Sequence, residues 1–150
     1  MDWVTSIHQA IQYIEEHLRE ELTIREIAQQ AALSPFYFQK GFPMLCGMTV
    51  GHYIRQRRLS VAGLEILTTD RKIIDIALEF GYDSPDSFTK AFTRFHGITP
   101  AALRKSGGAV RSFAPLRIKV TLEGGQNMEC KIMKKDAFTV LCRARTFQYE

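Results

Sequence analysis

The chain repeats itself. Ile27-Ala28 returns as Ile76-Ala77 after 49 residues, and Ser34-Pro35 returns as Ser84-Pro85 after 50. Phe38 and Phe88, Phe42 and Phe92, Gly47 and Gly97, and Thr49 and Thr99 keep that offset of 50. These are residues that cap, pack or end helices, so their recurrence reports a duplicated structural unit. Any fold for this chain must hold two copies of one small helical device.

The second copy has the clearer punctuation. Ile73, Ile76, Ala77 and Phe80 recur at i, i+3, i+4 and i+7, one stripe of a short amphipathic helix. Gly81 follows, where helices commonly end in a left-handed residue. Ser84 suits the cap of the next helix and Pro85 its first position, where no N–H is needed. Phe88, Phe92 and Phe95 then face inward, Gly97 can end the helix, and Thr99-Pro100 opens another. Alone, this stretch fits a helix-turn-helix and an αα-corner equally well. The repeat favours the first.

The first copy is preceded by a helix predicted over residues 3–20, with Ile7, Ile11, Ile14 and Leu18 on one stripe. Thr23 and Glu26 form a capping box for a second helix. Ser34-Pro35 opens a third, with Phe38 and Phe42 inward, and Thr49 caps a long fourth helix over residues 50–67, buried along Leu59, Ala62 and Ile66. Gly41 and Pro43 lie inside the third helix. Gly costs about 1 kcal/mol and Pro about 3 in a helix interior, and the Pro43 ring conflicts with the Gln39 carbonyl. A kink or early end is expected there.

Composition narrows the class. At 150 residues, 45% apolar and 24% charged, the chain holds one ordinary domain and part of another. It has no apolar run of the roughly 18 residues a membrane span needs, and its acidic start lacks the pattern of a signal peptide. Cys46, Cys130 and Cys142 are scattered, as expected of a reduced, cytoplasmic protein. Residues 1–30 carry two basic against six acidic side chains, residues 31–106 ten against six, and residues 107–150 eight against four. An acidic first helix before a basic remainder suits a protein with one anion-facing side. No paired carboxylates, metal-ligand spacing, phosphate loop or nucleophile–base arrangement points to an enzyme or cofactor; His8, His17, His52 and His96 are dispersed. Cys46 and His96 hold equivalent helix ends, which favours packing roles.

Beyond Gly107-Gly108 the pattern changes. Residues 107–115 read as a linker, and Leu116, Ile118, Val120 and Leu122 then alternate with polar residues as in a strand. Two further strands are expected between Met128 and Ala144, too little chain to close a core. The expected fold is mainly α, about seven helices in two helix-turn-helix units joined by a long helix. A β-rich segment of an incomplete second domain, residues 116–150, follows.

Two such units in one chain can address successive major grooves, which lie about 34 Å apart on one side of B-DNA, without dimerisation. On the first recognition helix Phe36, Tyr37, Gln39 and Lys40 are expected outward, and on the second Asp86, Ser87, Thr89, Lys90, Thr93 and Arg94. Gln39 can pair with adenine, Lys40 can reach guanine or phosphate, and Phe36 can cover a thymine methyl. Ser87, Thr89, Lys90 and Arg94 can reach bases, while Asp86 also suits the positive helix end. Arg55, Arg57, Arg58, Arg71, Lys72 and Arg104 are candidates for phosphate contacts or intramolecular pairs.

Residues 5–106, and IIDIALEFGYDSPDSFTKAFTRFHGITPAALRK above all, resemble the DNA-binding domain of the AraC/XylS family of transcription regulators. Ile76, Ala77, Gly81, Phe88, Phe92, Gly97 and Pro100 match its structural signature. Phe36, Gln39, Lys40, Ser87, Thr89 and Lys90 match where the family contacts bases. The tail MECKIMKKDAFTVLCRARTF resembles the first strands of a GyrI-like effector-binding domain, an arrangement similar to Rob-type regulators. The resemblance implies an AraC-type domain over residues 1–106 that binds double-stranded DNA, as a monomer if need be, in the nucleoid-associated cytoplasm. RNA polymerase and a small-molecule effector are implied as further partners. A helical protein-interaction adaptor, and a regulator fused to a GyrI-like hydrolase, remain the alternatives.

Overall fold

The computed structural model describes residues 3–118. Seven helices follow in order: α1 (Trp3–Glu16), α2 (Ile24–Gln30), α3 (Pro35–Cys46), α4 (Val50–Thr68), α5 (Ile73–Glu79), α6 (Pro85–His96) and α7 (Pro100–Ser106). There is no strand among the described residues. Most of the β-rich segment expected from residue 116 onward lies outside them.

The caps fall where the sequence places them. Ser34, Thr49, Ser84 and Thr99 each accept a hydrogen bond from the backbone N–H three residues on, and Thr23 and Glu26 close a reciprocal capping box. Helix α1 ends earlier than its apolar stripe predicts, at Glu16 rather than near residue 20. Leu18 is still buried. The Arg58 guanidinium donates to the carbonyls of Leu18 and Glu20 at 2.8 and 2.6 Å, so tertiary donors satisfy this segment where further helix would have done so.

Helix α3 corrects the expectation of an early end: it runs unbroken to Cys46 and terminates on Gly47 at φ 71°. Pro43 leaves the carbonyl of Gln39 without its helical donor, and Gln39 is solvent-exposed, so water can take that donor's place. Gly41 has a packing reason. A Cβ at this position would lie 2.1 Å from Cζ3 of Trp3, so the indole of α1 rests directly on the α3 backbone.

The two turns are closed by the same hydrogen bonds. Leu33 N–H donates to Ala28 O at 2.9 Å, and Tyr82 N–H to Ala77 O at 3.0 Å. Gly81 takes φ 81° in the second turn, whereas Ala32 takes φ 53° in the first. The first unit therefore holds a left-handed alanine where its copy has glycine.

Each unit has its own core, and both cores are built on α4. Ile7, Ile14, Ile27, Phe38, Phe42 and Tyr53 fill the first; Leu59, Ile66, Ile76, Phe80, Phe88 and Phe92 fill the second. On one flank Arg19 ion-pairs with Glu65 at 2.9 Å and Glu79 at 2.6 Å, and Arg71 engages the same two carboxylates. Elsewhere the segment after α7 returns along α4. Val110 packs on the second core, and Phe113, Leu116 and Ile118 on the first. The expected linker is thus a docked strap that touches both units.

Candidate nucleic-acid interface

Helices α3 and α6 are the second helices of the two units, and each buries one stripe. Phe38, Gly41 and Phe42 point inward on α3, and Phe88, Phe92 and His96 on α6. On α3 this leaves Phe36 (64% exposed), Tyr37 (62%), Gln39 and Lys40 at the surface. On α6 it leaves Asp86, Ser87, Lys90 and Arg94 exposed, with Thr89 half-buried. Ser87 also serves the helix start: its N–H donates to Ser84 Oγ at 3.2 Å and its hydroxyl to Ser84 O at 2.9 Å.

Thr93 departs from its expected outward placement. It is half-buried, and its Oγ1 is shut off from solvent with no hydrogen-bond partner among the described residues. Its place on the helix lies beside the buried Phe92 stripe rather than opposite it. The first unit's surface includes a residue the outward list lacks, Met44, at 85% exposure. The repeat itself carries that signal, since Met44 stands 50 residues before Arg94. One unit thus presents a largely apolar face and the other a polar, cationic one.

The six candidate phosphate residues divide. Arg57 holds Glu15 through both carboxylate oxygens, at 2.8 Å from Nε to Oε1 and 2.7 Å from Nη2 to Oε2, and also donates to Phe113 O. Arg58 is occupied by the carbonyls described above, Arg104 donates to Ile66 O and Thr69 O at 3.3 Å, and Arg71 belongs to the Glu65–Glu79 network. These four brace the fold. Arg55 and Lys72 are exposed, without an ion pair or side-chain hydrogen bond among the described residues.

His96 is buried and uses both ring nitrogens. The backbone N–H of Arg111 donates to Nδ1 at 3.2 Å, so Nε2 carries the proton and donates to Leu59 O at 2.9 Å. Burial pushes its pKa below the ordinary value, and the nearby Arg111 charge acts in the same direction. Among the described residues, no group of three or more His, Cys, Asp or Glu could hold a metal ion, and no helix is long and apolar enough to cross a membrane.

Two helix-turn-helix units on a shared central helix, each with an exposed second helix, define a double helix-turn-helix protein. A family model described as a helix-turn-helix domain matches residues 27–106. SoxS, a regulatory protein of Salmonella typhimurium, is 40% identical over 98 residues, covering 65% of this chain and 92% of SoxS. The transcriptional activator AarP of Providencia stuartii is 36% identical over 114 residues, covering 76% of this chain and 84% of AarP. The DNA-binding domain of AdpA, a global transcriptional factor solved in complex with a target DNA, superimposes with a TM-score of 0.61 at 26% identity. That match covers 67% of this chain and 91% of the AdpA domain. The chain belongs to the AraC/XylS family of DNA-binding transcription regulators.

Proposed function

We propose that this regulator binds an asymmetric duplex site as a single chain, with α3 and α6 entering successive major grooves on one side of the DNA. The observation that carries this reading is the duplicated unit, with both second helices exposed on one braced scaffold. Phe36, Tyr37, Gln39, Lys40 and Met44 would read one half-site through methyl and apolar contacts with one amide pairing. Asp86, Ser87, Thr89, Lys90 and Arg94 would read the other by hydrogen bonds and charge. Arg55 and Lys72 would position the backbone. The 19 residues of α4 span about 28 Å, short of a full helical turn of DNA, so bending of the site is part of the proposal.

Control by a small molecule through chain beyond residue 118, and contact with RNA polymerase, belong to the same proposal. Both rest on the family resemblance.

Fluorescence anisotropy with duplexes from a random-sequence selection tests the reading. A selected duplex should bind far more tightly than a scrambled one, with log affinity falling steeply as log salt rises. Equal, salt-independent binding to all duplexes would overturn it. That result would favour a protein-binding adaptor, for which the exposed Phe36, Tyr37 and Met44 supply an apolar face.

A further inference from the structure

One concavity gathers three arginines and a histidine. It measures about 580 Å³ and lies between α4 and α6, lined by His52, Arg55 and Gln56 of α4, Arg94 of α6 and Arg111 of the strap over an apolar floor. No Asp or Glu lines it. The guanidinium groups of Arg55, Arg94 and Arg111 make no hydrogen bond or ion pair among the described residues, whereas those of Arg19, Arg57, Arg58, Arg71 and Arg104 are all engaged. Three free cations around one hollow repel one another in the absence of an anion, and a single anion relieves all three.

The position of Arg111 is built. Its N–H is fixed on His96 Nδ1, Val110 before it packs on the second core, and Phe113 after it donates its N–H to Ser60 Oγ at 3.0 Å. The His96 ring in turn lies so close to α4 that a Cβ on Gly63 would come within 2.5 Å of it. Arg111 also lies beyond the residues that the family model matches, which end at 106. The helix-turn-helix fold alone therefore does not supply it.

We propose that Arg55, Arg94 and Arg111, with His52, form a clamp for one phosphate of the DNA backbone beside the second recognition helix, completed by the strap. The inference rests on the DNA-binding reading above. It moves Arg94 from base reading to backbone positioning, while Lys90, one turn earlier on the same exposed face, remains a base reader. The strap thereby makes DNA affinity depend on residues outside the helix-turn-helix fold.

The test uses the full chain, a selected duplex and a salt series, comparing Arg111→Ala with Arg25→Ala, an equal charge change on the exposed face of α2. Arg111→Ala should weaken binding roughly three- to tenfold for every sequence alike and reduce the salt slope by about 1. Arg25→Ala should change neither. Arg111→Lys should restore most of the slope, and unchanged thermal melting of Arg111→Ala would confirm that folding is intact. An unchanged slope, or a loss confined to certain base sequences, overturns the clamp. A methylphosphonate scan of the duplex should reveal one position whose neutralisation costs the wild type affinity but not Arg111→Ala. If no position does, yet inorganic phosphate shifts the Arg94 and Arg111 NMR signals at millimolar concentration, the hollow takes a free anion and the DNA clamp is overturned. Absence of salt-dependent binding by the wild type would instead sink the DNA-binding reading itself.

Discussion

Arg111 N–H donates to His96 Nδ1 at 3.2 Å, and this bond fixes the tautomer of a buried imidazole that also holds α4 through Leu59 O. The ring is neutral in this arrangement, because a second proton on Nδ1 would face the Arg111 N–H. Its pKa lies below the ordinary 6.5, so the unfolded chain binds the proton more readily than the folded one. Stability contributed by His96 is therefore complete above about pH 6.5 and is lost as pH falls toward the lowered folded value. Urea midpoints should drop between pH 7.5 and pH 5.5, and less so in His96→Gln. The same pH drop in both proteins would show that His96 does not carry the effect.

Two glycines in helices should respond differently to alanine. A Cβ on Gly63 meets a His96 ring held at both nitrogens, so Gly63→Ala should destabilise by about 1–3 kcal/mol. A Cβ on Gly41 meets the indole of Trp3, which is 41% exposed and free to swing away. Gly41→Ala should shift stability by no more than about 1 kcal/mol, since helix propensity offsets the lost contact. Fluorescence of the single tryptophan should report the displacement as a red shift.

Ala32 and Gly81 close equivalent turns in the left-handed region, at φ 53° and 81°. A left-handed conformation costs an L-residue roughly 1–2 kcal/mol. Ala32→Gly should stabilise the protein by about 0.5–1 kcal/mol, and Gly81→Ala should destabilise it by at least as much. Chemical denaturation of both variants, showing shifts of the same sign, would contradict the shared geometry.

Arg57 links three elements through Glu15 of α1, its own α4 and Phe113 of the strap. Arg57→Ala leaves a partly buried carboxylate with only the Tyr53 hydroxyl, which donates to it at 2.5 Å. A loss of about 2–3 kcal/mol is expected, below that of a fully buried pair because Glu15 retains some solvent. Limited proteolysis should then cut near Phe113 sooner than in the wild type. Unchanged cleavage would mean that the strap is held by its apolar contacts alone.

Much of this fold was legible without coordinates because its signals are local. Ser34-Pro35, Ser84-Pro85, Thr49 and Thr99 cap helices through hydrogen bonds to residues three positions away, and Phe38, Phe42, Phe88 and Phe92 bury themselves by helical period alone. The repeat added a second reading of each signal, which is why Arg94 could have pointed to the exposed Met44. What the sequence by itself determined was therefore the double helix-turn-helix and most of the residues exposed on its second helices. Tertiary structure decided the rest. It stopped α1 at Glu16, admitted Gly41 beneath Trp3, enclosed the Thr93 hydroxyl and turned Arg57, Arg58, Arg71 and Arg104 into braces. It also laid residues 110–118 along α4, bringing Arg111 to Arg55 and Arg94. Most of the contacts that decide these outcomes join residues far apart in the chain. An exposed arginine and a bracing arginine look alike until the carboxylate or carbonyl that claims one of them is brought within reach.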